Sequence, residues 1–171
     1  MKKIKINELS YKIFSGYGEF KNVFEPEGFK IGEEPSEFFR DIIGLKVGFE
    51  CSVSFSIFRG TWQVGKPILS LIEYHSKCEE AMLPLDGDYV ICLAKATPPG
   101  VIPINEIEAF RIPKGTIVVL KPGVWHSGPF LYKCDSIRIL VALPERTYAN
   151  DSVVYNIPER EKIEIEWDFQ E

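Results

Sequence analysis

From Val47 to Ile57 the side chains alternate strictly, Val47, Phe49, Cys51, Val53, Phe55 and Ile57 against Gly48, Glu50, Ser52, Ser54 and Ser56. A period of two belongs to a strand, because successive side chains leave a pleated backbone on opposite faces. One face here is apolar, the other mostly small and polar. The same alternation marks Ile4 to Asn7 and Ile163 to Trp167. Unbroken apolar runs at Tyr89 to Ala94 and Ile137 to Ala142 read as buried strands. Shorter β-type runs cover Ile68 to His75, Ala81 to Leu85, Glu108 to Ile112 and Thr116 to Leu120. Pro and Gly clusters punctuate them at 25–36, 65–67, 97–100 and 113–115, and the one helical stretch lies around Glu8 to Phe14. Many short strands between turn signals predict an antiparallel barrel or sandwich. A chain of 171 residues with no internal repeat or linker is expected to form a single domain over 1–171.

Composition narrows the function. A net charge of −5 leaves no basic footprint for nucleic acid. No stretch approaches the roughly 20 apolar residues of a membrane helix, and no secretory apolar run follows Met1-Lys2-Lys3-Ile4-Lys5, so a cytoplasmic protein without membrane or nucleic-acid partners is expected. The four cysteines, Cys51, Cys78, Cys92 and Cys134, form no Cys-x-x-Cys pair and read as reduced thiols. Cys78 alone falls among candidate functional residues.

Those residues surround the two histidines. His75 precedes Glu80 by five positions and Glu80 precedes Gly87 by seven; Gly115 opens a run that ends in Lys121-Pro122-Gly123-Val124-Trp125-His126. Glu73 and His75, two apart, face the same way on a strand. The polar run Ser76-Lys77-Cys78-Glu79 suits a turn, and a hairpin there would return Glu80 to the side of His75. Glu80 sits in an apolar strand, where an unpaired buried carboxylate costs several kcal/mol, so it needs a partner.

These two spacings resemble the paired motifs of the cupin superfamily, in which histidines and a glutamate converge inside a small β-barrel. The resemblance implies an all-β fold, the cupin double-stranded β-helix or jelly-roll barrel with a few short helices. Its barrel core would run over roughly 45–145, with the terminal strands packed on it. Glu73 stands where the superfamily has a first His, and Lys121 where it has a Pro. A longer likeness, over roughly residues 10 to 145, is to one cupin family, ureidoglycolate lyase. It runs through Phe14-Ser15-Gly16-Tyr17-Gly18-Glu19, Ile72-Glu73-Tyr74-His75, Ala81-Met82-Leu83-Pro84-Leu85 and Gly123-Val124-Trp125-His126 with Pro129-Phe130-Leu131. The chain departs from that family at Glu80, where it can carry Gln, at Lys121, where it can carry His, and at Leu143-Pro144-Glu145-Arg146, where an Asp-Arg segment is expected.

The family likeness implies the splitting of ureidoglycolate, a small carboxylate, into glyoxylate and urea in allantoin and purine breakdown. Such a site needs an acid, a base and a cation for the carboxylate. By resemblance, Glu80, His126 and Lys121 are the catalytic candidates. Arg59, beside Phe58 and Trp62 at the barrel mouth, joins Lys121, Tyr74 and Trp125 as candidates for holding substrate. His75, Glu80 and His126, with Glu73 as a fourth, are candidate ligands of a divalent metal. A nickel-type ion is implied, and manganese, iron and zinc suit the same imidazole and carboxylate donors. A homodimer is expected. The alternatives are a non-catalytic cupin that binds a small carboxylate or sugar acid, and a cupin sugar-acid isomerase or epimerase.

Overall fold

A computed structural model describes residues 1–48, 51–61 and 65–166; Phe49, Glu50, Trp62 and Trp167 lie outside them. In chain order the strands are β1 (Lys2–Glu8), β2 (Gly18–Asn22), β3 (Phe29–Ile31), β4 (Phe38–Arg40), β5 (Val53–Thr61), β6 (Ile68–Leu69), β7 (Leu71–Tyr74), β8 (Glu80–Pro84), β9 (Asp88–Ala94), β10 (Glu108–Ile112), β11 (Thr116–Leu120), β12 (Trp125–His126), β13 (Phe130–Tyr132), β14 (Ser136–Pro144), β15 (Val153–Asn156) and β16 (Ile163–Glu166). Two one-turn helices, α1 (Tyr11–Phe14) and α2 (Thr147–Asn150), complete the regular structure with two short 3-10 turns.

The strands form a nine-stranded sheet ordered β15-β7-β12-β9-β10-β1-β16-β6, with β13 also on β9, and a five-stranded sheet ordered β2-β11-β8-β14-β5. β3 and β4 make a separate hairpin. Inward side chains of the two sheets meet in the main core. Tyr89, Ile91 and Leu93 of β9 and Phe110 and Ile112 of β10 pack on Met82, Val118, Leu120, Ile139 and Val141 of the smaller sheet. Alternate residues of β9, Val90, Cys92 and Ala94, turn the other way into a second core with Ala109, Ile163, Ile165, Ile4 and Ile6. The larger sheet therefore curls, its far strands rolling back over its own outer face. That explains why β9 reads as a continuous apolar run: both of its faces are covered. The all-β jelly-roll expected from the sequence is what forms, with the two short helices.

Two details differ from the sequence reading, and a third decides what it left open. β1 pairs in parallel with both β10 and β16, so the barrel is not purely antiparallel. β7 and β8 do not form a hairpin: β7 pairs with β12 and β15, and β8 with β11 and β14. The chain crosses between sheets over residues 75–79 and still delivers Glu80 to His75. Finally, β5 carries its small polar side inward. Ser54 and Ser56 are half-buried, while Val53, Phe55 and Ile57 point outward into solvent. No helix among the described residues is long and apolar enough to cross a membrane.

Candidate active site

Three elements meet at one end of the barrel. β7 ends at Tyr74 and hands the chain to His75; Glu80 opens β8 in the opposite sheet; His126 closes β12, where it pairs in register with Glu73. His75, Glu80 and His126 are 3%, 7% and 4% exposed. Glu80 Oε2 lies 3.1 Å from His126 Nε2 and 3.7 Å from His75 Nε2, and the imidazole centroids are 5.3 Å apart.

Backbone contacts aim the rings. His75 Nδ1 lies 2.7 Å from the carbonyl of Asp151, and His126 Nδ1 lies 3.1 Å from that of Val124. A carbonyl only accepts, so each neutral ring carries its proton on Nδ1 and turns an Nε2 lone pair toward Glu80. The turn that carries His75 is itself held. The Asp151 carboxylate accepts hydrogen bonds from the Ser76 backbone N–H at 2.9 Å, the Ser76 hydroxyl at 2.6 Å and the Lys77 N–H at 2.8 Å. From the other side the Gly123 N–H donates to the His75 carbonyl at 2.6 Å. Gly123 has φ +80°, and a Cβ there would stand 3.0 Å from that of Ala96, so this turn favours glycine on both counts.

Two imidazole lone pairs and a carboxylate thus converge in a buried volume with no proton between them. His75 Nε2 and Glu80 Oε2 have no hydrogen-bond partner. An arrangement of acceptors alone is unfavourable unless positive charge enters it. A proton is one answer. Burial works against charge on His126, but the Glu80 carboxylate and its hydrogen bond outweigh that and raise its pKa. Burial likewise pushes Glu80 toward the neutral acid, and the charges of His126 and His75 with the His126 hydrogen bond overcome it, holding the carboxyl below its ordinary range. A divalent cation is the other answer. Donors each about 2.1 Å from one ion stand about 3 to 4 Å apart, and the three donor atoms here all lie within 4.8 Å of one another. The residues present fit a metal.

The remaining sequence candidates are distributed differently. Glu73 borders the trio, its Oε1 3.9 Å from His126 Nε2, while its Oε2 accepts a hydrogen bond from Ser152. Lys121 is exposed and its ammonium donates to the Ser15 carbonyl at 2.6 Å; no contact joins it to the trio. Arg59 alternates with the inward Phe58 and stands on the outer face of β5, in register with Arg138, so the barrel wall separates it from the interior. Tyr74 and Trp125 pack edge-to-face at 4.5 Å in the second core, with the indole N–H on Thr97; strand alternation turns them away from Glu73 and His126. Burial pushes the Cys78 thiol up to about 11, with the Asp151 carboxylate adding to it, so it is neutral and outside the trio. Trp62 lies outside the described residues.

Sequence reasoning missed three neighbours of the trio and a fourth residue on the same inner face. Asp151 and Ser152 reach it from the loop after α2. Tyr148 of α2 is 62% exposed but sets its ring edge-on to His75 at 6.4 Å, where partial desolvation of the phenol and the carboxylates of Glu80 and Glu73 raise its pKa, keeping it protonated. Ser54 lies on the inner face opposite Leu143, one position beyond the Ala142–Ala81 pair, hence level with Glu80 and two strands away. That is about 10 Å across the sheet. The only trace of Ser54 in the sequence was the polar half of the β5 alternation.

The sequence model of ureidoglycolate lyase matches residues 1–163. No curated protein matches the chain in sequence. Among solved structures, likeness extends to the 3,4-ketoisomerase from Thermoanaerobacterium thermosaccharolyticum in complex with TDP-4-keto-6-deoxyglucose, at 14% identity and TM-score 0.42 over 74% of this chain and 82% of that one. A dTDP sugar isomerase from Desulfovibrio desulfuricans shows 11% identity and TM-score 0.44 over 85% of each chain. The TDP-fucose-3,4-ketoisomerase from Campylobacter jejuni shows 12% and 0.38 over 80% of this chain and 84% of that one. Likenesses this remote say nothing of substrate or mechanism.

Proposed function

The chain belongs to the ureidoglycolate lyase family of carbon–nitrogen lyases, and from that premise we propose how its buried trio serves the splitting of ureidoglycolate into glyoxylate and urea. The carrying observation is the convergence of His75 Nε2, His126 Nε2 and Glu80 in a buried site where two of the acceptor atoms are unpartnered. These three residues would hold a divalent cation. When bound, the ion supplies Lewis acidity that favours ionisation of the substrate hydroxyl, and charge for the neighbouring carboxylate.

The reaction needs no oxidant and no water. The hydroxyl proton leaves, its electron pair closes the carbonyl of glyoxylate, the carbon–nitrogen bond breaks and the departing ureido nitrogen takes a proton. Glu73, beside His126 and oriented by Ser152, is placed to accept the hydroxyl proton. Tyr148, largely exposed but with its phenol partly desolvated beside the Glu80 and Glu73 carboxylates, keeps its proton and donates it toward the departing nitrogen. The Ser54 hydroxyl, inward and level with Glu80, takes the far end of the substrate, the role that Arg59 and Lys121 are not positioned to fill. Trp125 and Tyr74 stiffen the strands behind the site. In this reading the enzyme is a cytoplasmic homodimer.

The test joins two measurements on protein purified without chelator: its content of divalent metal, and the glyoxylate and urea released from ureidoglycolate. Equimolar release is expected, abolished by metal removal and restored by adding the ion back. Failure of metal-replete protein to release either product rejects the substrate.

A further inference from the structure

The large apolar side chains exposed between residues 24 and 57 are out of place on a single chain. On the β3–β4 hairpin, register puts Phe29, Ile31 and Phe38 on one face and Lys30 and Phe39 on the other. Phe39 is half-buried and lines a groove of about 540 Å³ against Tyr11, Phe20 and Lys21 beside β2. On the opposite face of the hairpin Arg40 lies over the Phe29 ring at 4.6 Å, yet Phe29 stays 62% and Phe38 63% exposed. On β5 the outward ladder Val53, Phe55, Ile57 is equally uncovered, Phe55 at 69% and Ile57 at 55%. Isolated exposed apolar residues are ordinary, but clustered aromatics on a surface mark a contact.

The two patches lie at opposite edges of one sheet. The hairpin stands beside β2 and the ladder is on β5, the two ends of the order β2-β11-β8-β14-β5. Between them Ile43 and Leu45 of the same chain cover Ala81, Val119 and Ala142 at the centre of the outer face. A two-fold axis running parallel to the strands, with two such faces opposed, superposes the β2 edge of each copy on the β5 edge of the other. We infer that a second copy of this chain occupies the face, the hairpin of each protomer seating Phe29, Ile31 and Phe38 on Val53, Phe55 and Ile57 of its partner. This deepens the homodimer included in the functional reading by identifying the surface.

Charge supports the same occupant. From Glu25 to Asp41 the arm carries six acidic residues (Glu25, Glu27, Glu33, Glu34, Glu37, Asp41) and two basic ones (Lys30, Arg40), most of the chain's net −5. Arg59 continues the β5 ladder with no ion-pair partner among the described residues, whereas its neighbour Arg138 is already paired with Asp86. The acidic hairpin tip of one copy then meets the Arg59 end of the ladder on the other. The exposed area of the six apolar residues is on the order of 600 Å² per copy, so about 1,200 Å² across the two-fold, the lower bound of a standard stable interface.

The experiment is a charge-swap cycle read by sedimentation equilibrium. Wild-type protein is expected at twice 19.5 kDa. Phe55→Lys alone and Phe38→Glu alone each weaken the dimer at least about 100-fold, since each change strikes both copies of the contact. Phe38→Glu with Phe55→Lys in one chain recovers at least about tenfold, because each new acid faces the partner's new base. All three variants keep the wild-type far-UV circular dichroism and metal content, the substituted positions being exposed and on the far side of the barrel wall. A wild-type monomer at about 100 μM overturns both the surface and the homodimer. A dimer indifferent to the single changes, or dissociated by them without rescue in the double variant, overturns the surface and leaves the homodimer and the lyase activity standing.

Discussion

Replacing Asp151 by alanine tests whether a residue 76 positions from His75 in sequence builds the site. Its carboxylate accepts three hydrogen bonds from Ser76 and Lys77, of 2.6 to 2.9 Å, and in the variant those exposed groups would turn to water instead. At about 1 kcal/mol net for each such bond, Asp151→Ala costs about 3 kcal/mol at pH 7. In urea, with a slope of about 2 kcal/mol per molar, the midpoint falls by about 1.5 M. The pH dependence carries a sign. Burial disfavours the Asp151 charge, but hydrogen bonds from Ser76 and Lys77 and the charge of His75 outweigh it and depress the folded-state pKa. The stabilisation is therefore fully present above the unfolded value of about 3.9 and is lost as pH falls through the lower folded one. The gap between wild type and variant holds from pH 7 to pH 5 and narrows below pH about 4. The backbone carbonyl that receives His75 Nδ1 remains, yet the turn around it loosens, so metal affinity drops by about 10 to 100-fold. A loss under about 0.5 kcal/mol at pH 7, or a penalty that does not shrink in acid, refutes the reasoning.

Ser54→Ala raises KM by about tenfold through loss of one hydrogen bond to the substrate, whereas Arg59→Ala leaves KM within about twofold because its guanidinium lies outside the barrel; steady-state kinetics of the two variants separates them. Ellman's reagent at pH 8 titrates the exposed Cys51 rapidly and leaves Cys78 and Cys92 unreacted until denaturant is added. Burial pushes those thiols up to about 11 and about 12, so at most roughly one in a thousand is thiolate. Gly18→Ala puts a Cβ into the Val119 carbonyl, a backbone atom that cannot move aside, and parts β2 from β11; urea unfolding is expected to show a loss above about 3 kcal/mol.

Much of this protein is local and is written along the chain. Strand periods at β1, β5 and β16, the apolar run of β9, the Gly and Pro breaks and the short spacing from His75 to Glu80 depend on residues a few positions apart, so a linear reading finds them; His126, 46 positions beyond Glu80, joins them only through the motif resemblance. Other features exist only once distant segments meet. A period of two shows that β5 has two faces but cannot say which is inward; the core volume admitted the serines and turned Phe55 and Ile57 out, carrying Arg59 to the wrong side for substrate. Asp151 touches Ser76 across 75 residues, and Glu80 reaches His75 by a crossing between sheets rather than a hairpin. Secondary structure follows from the alternation of neighbours, whereas the chemistry of the site follows from which faces are pressed together, and burial of the whole chain decides that.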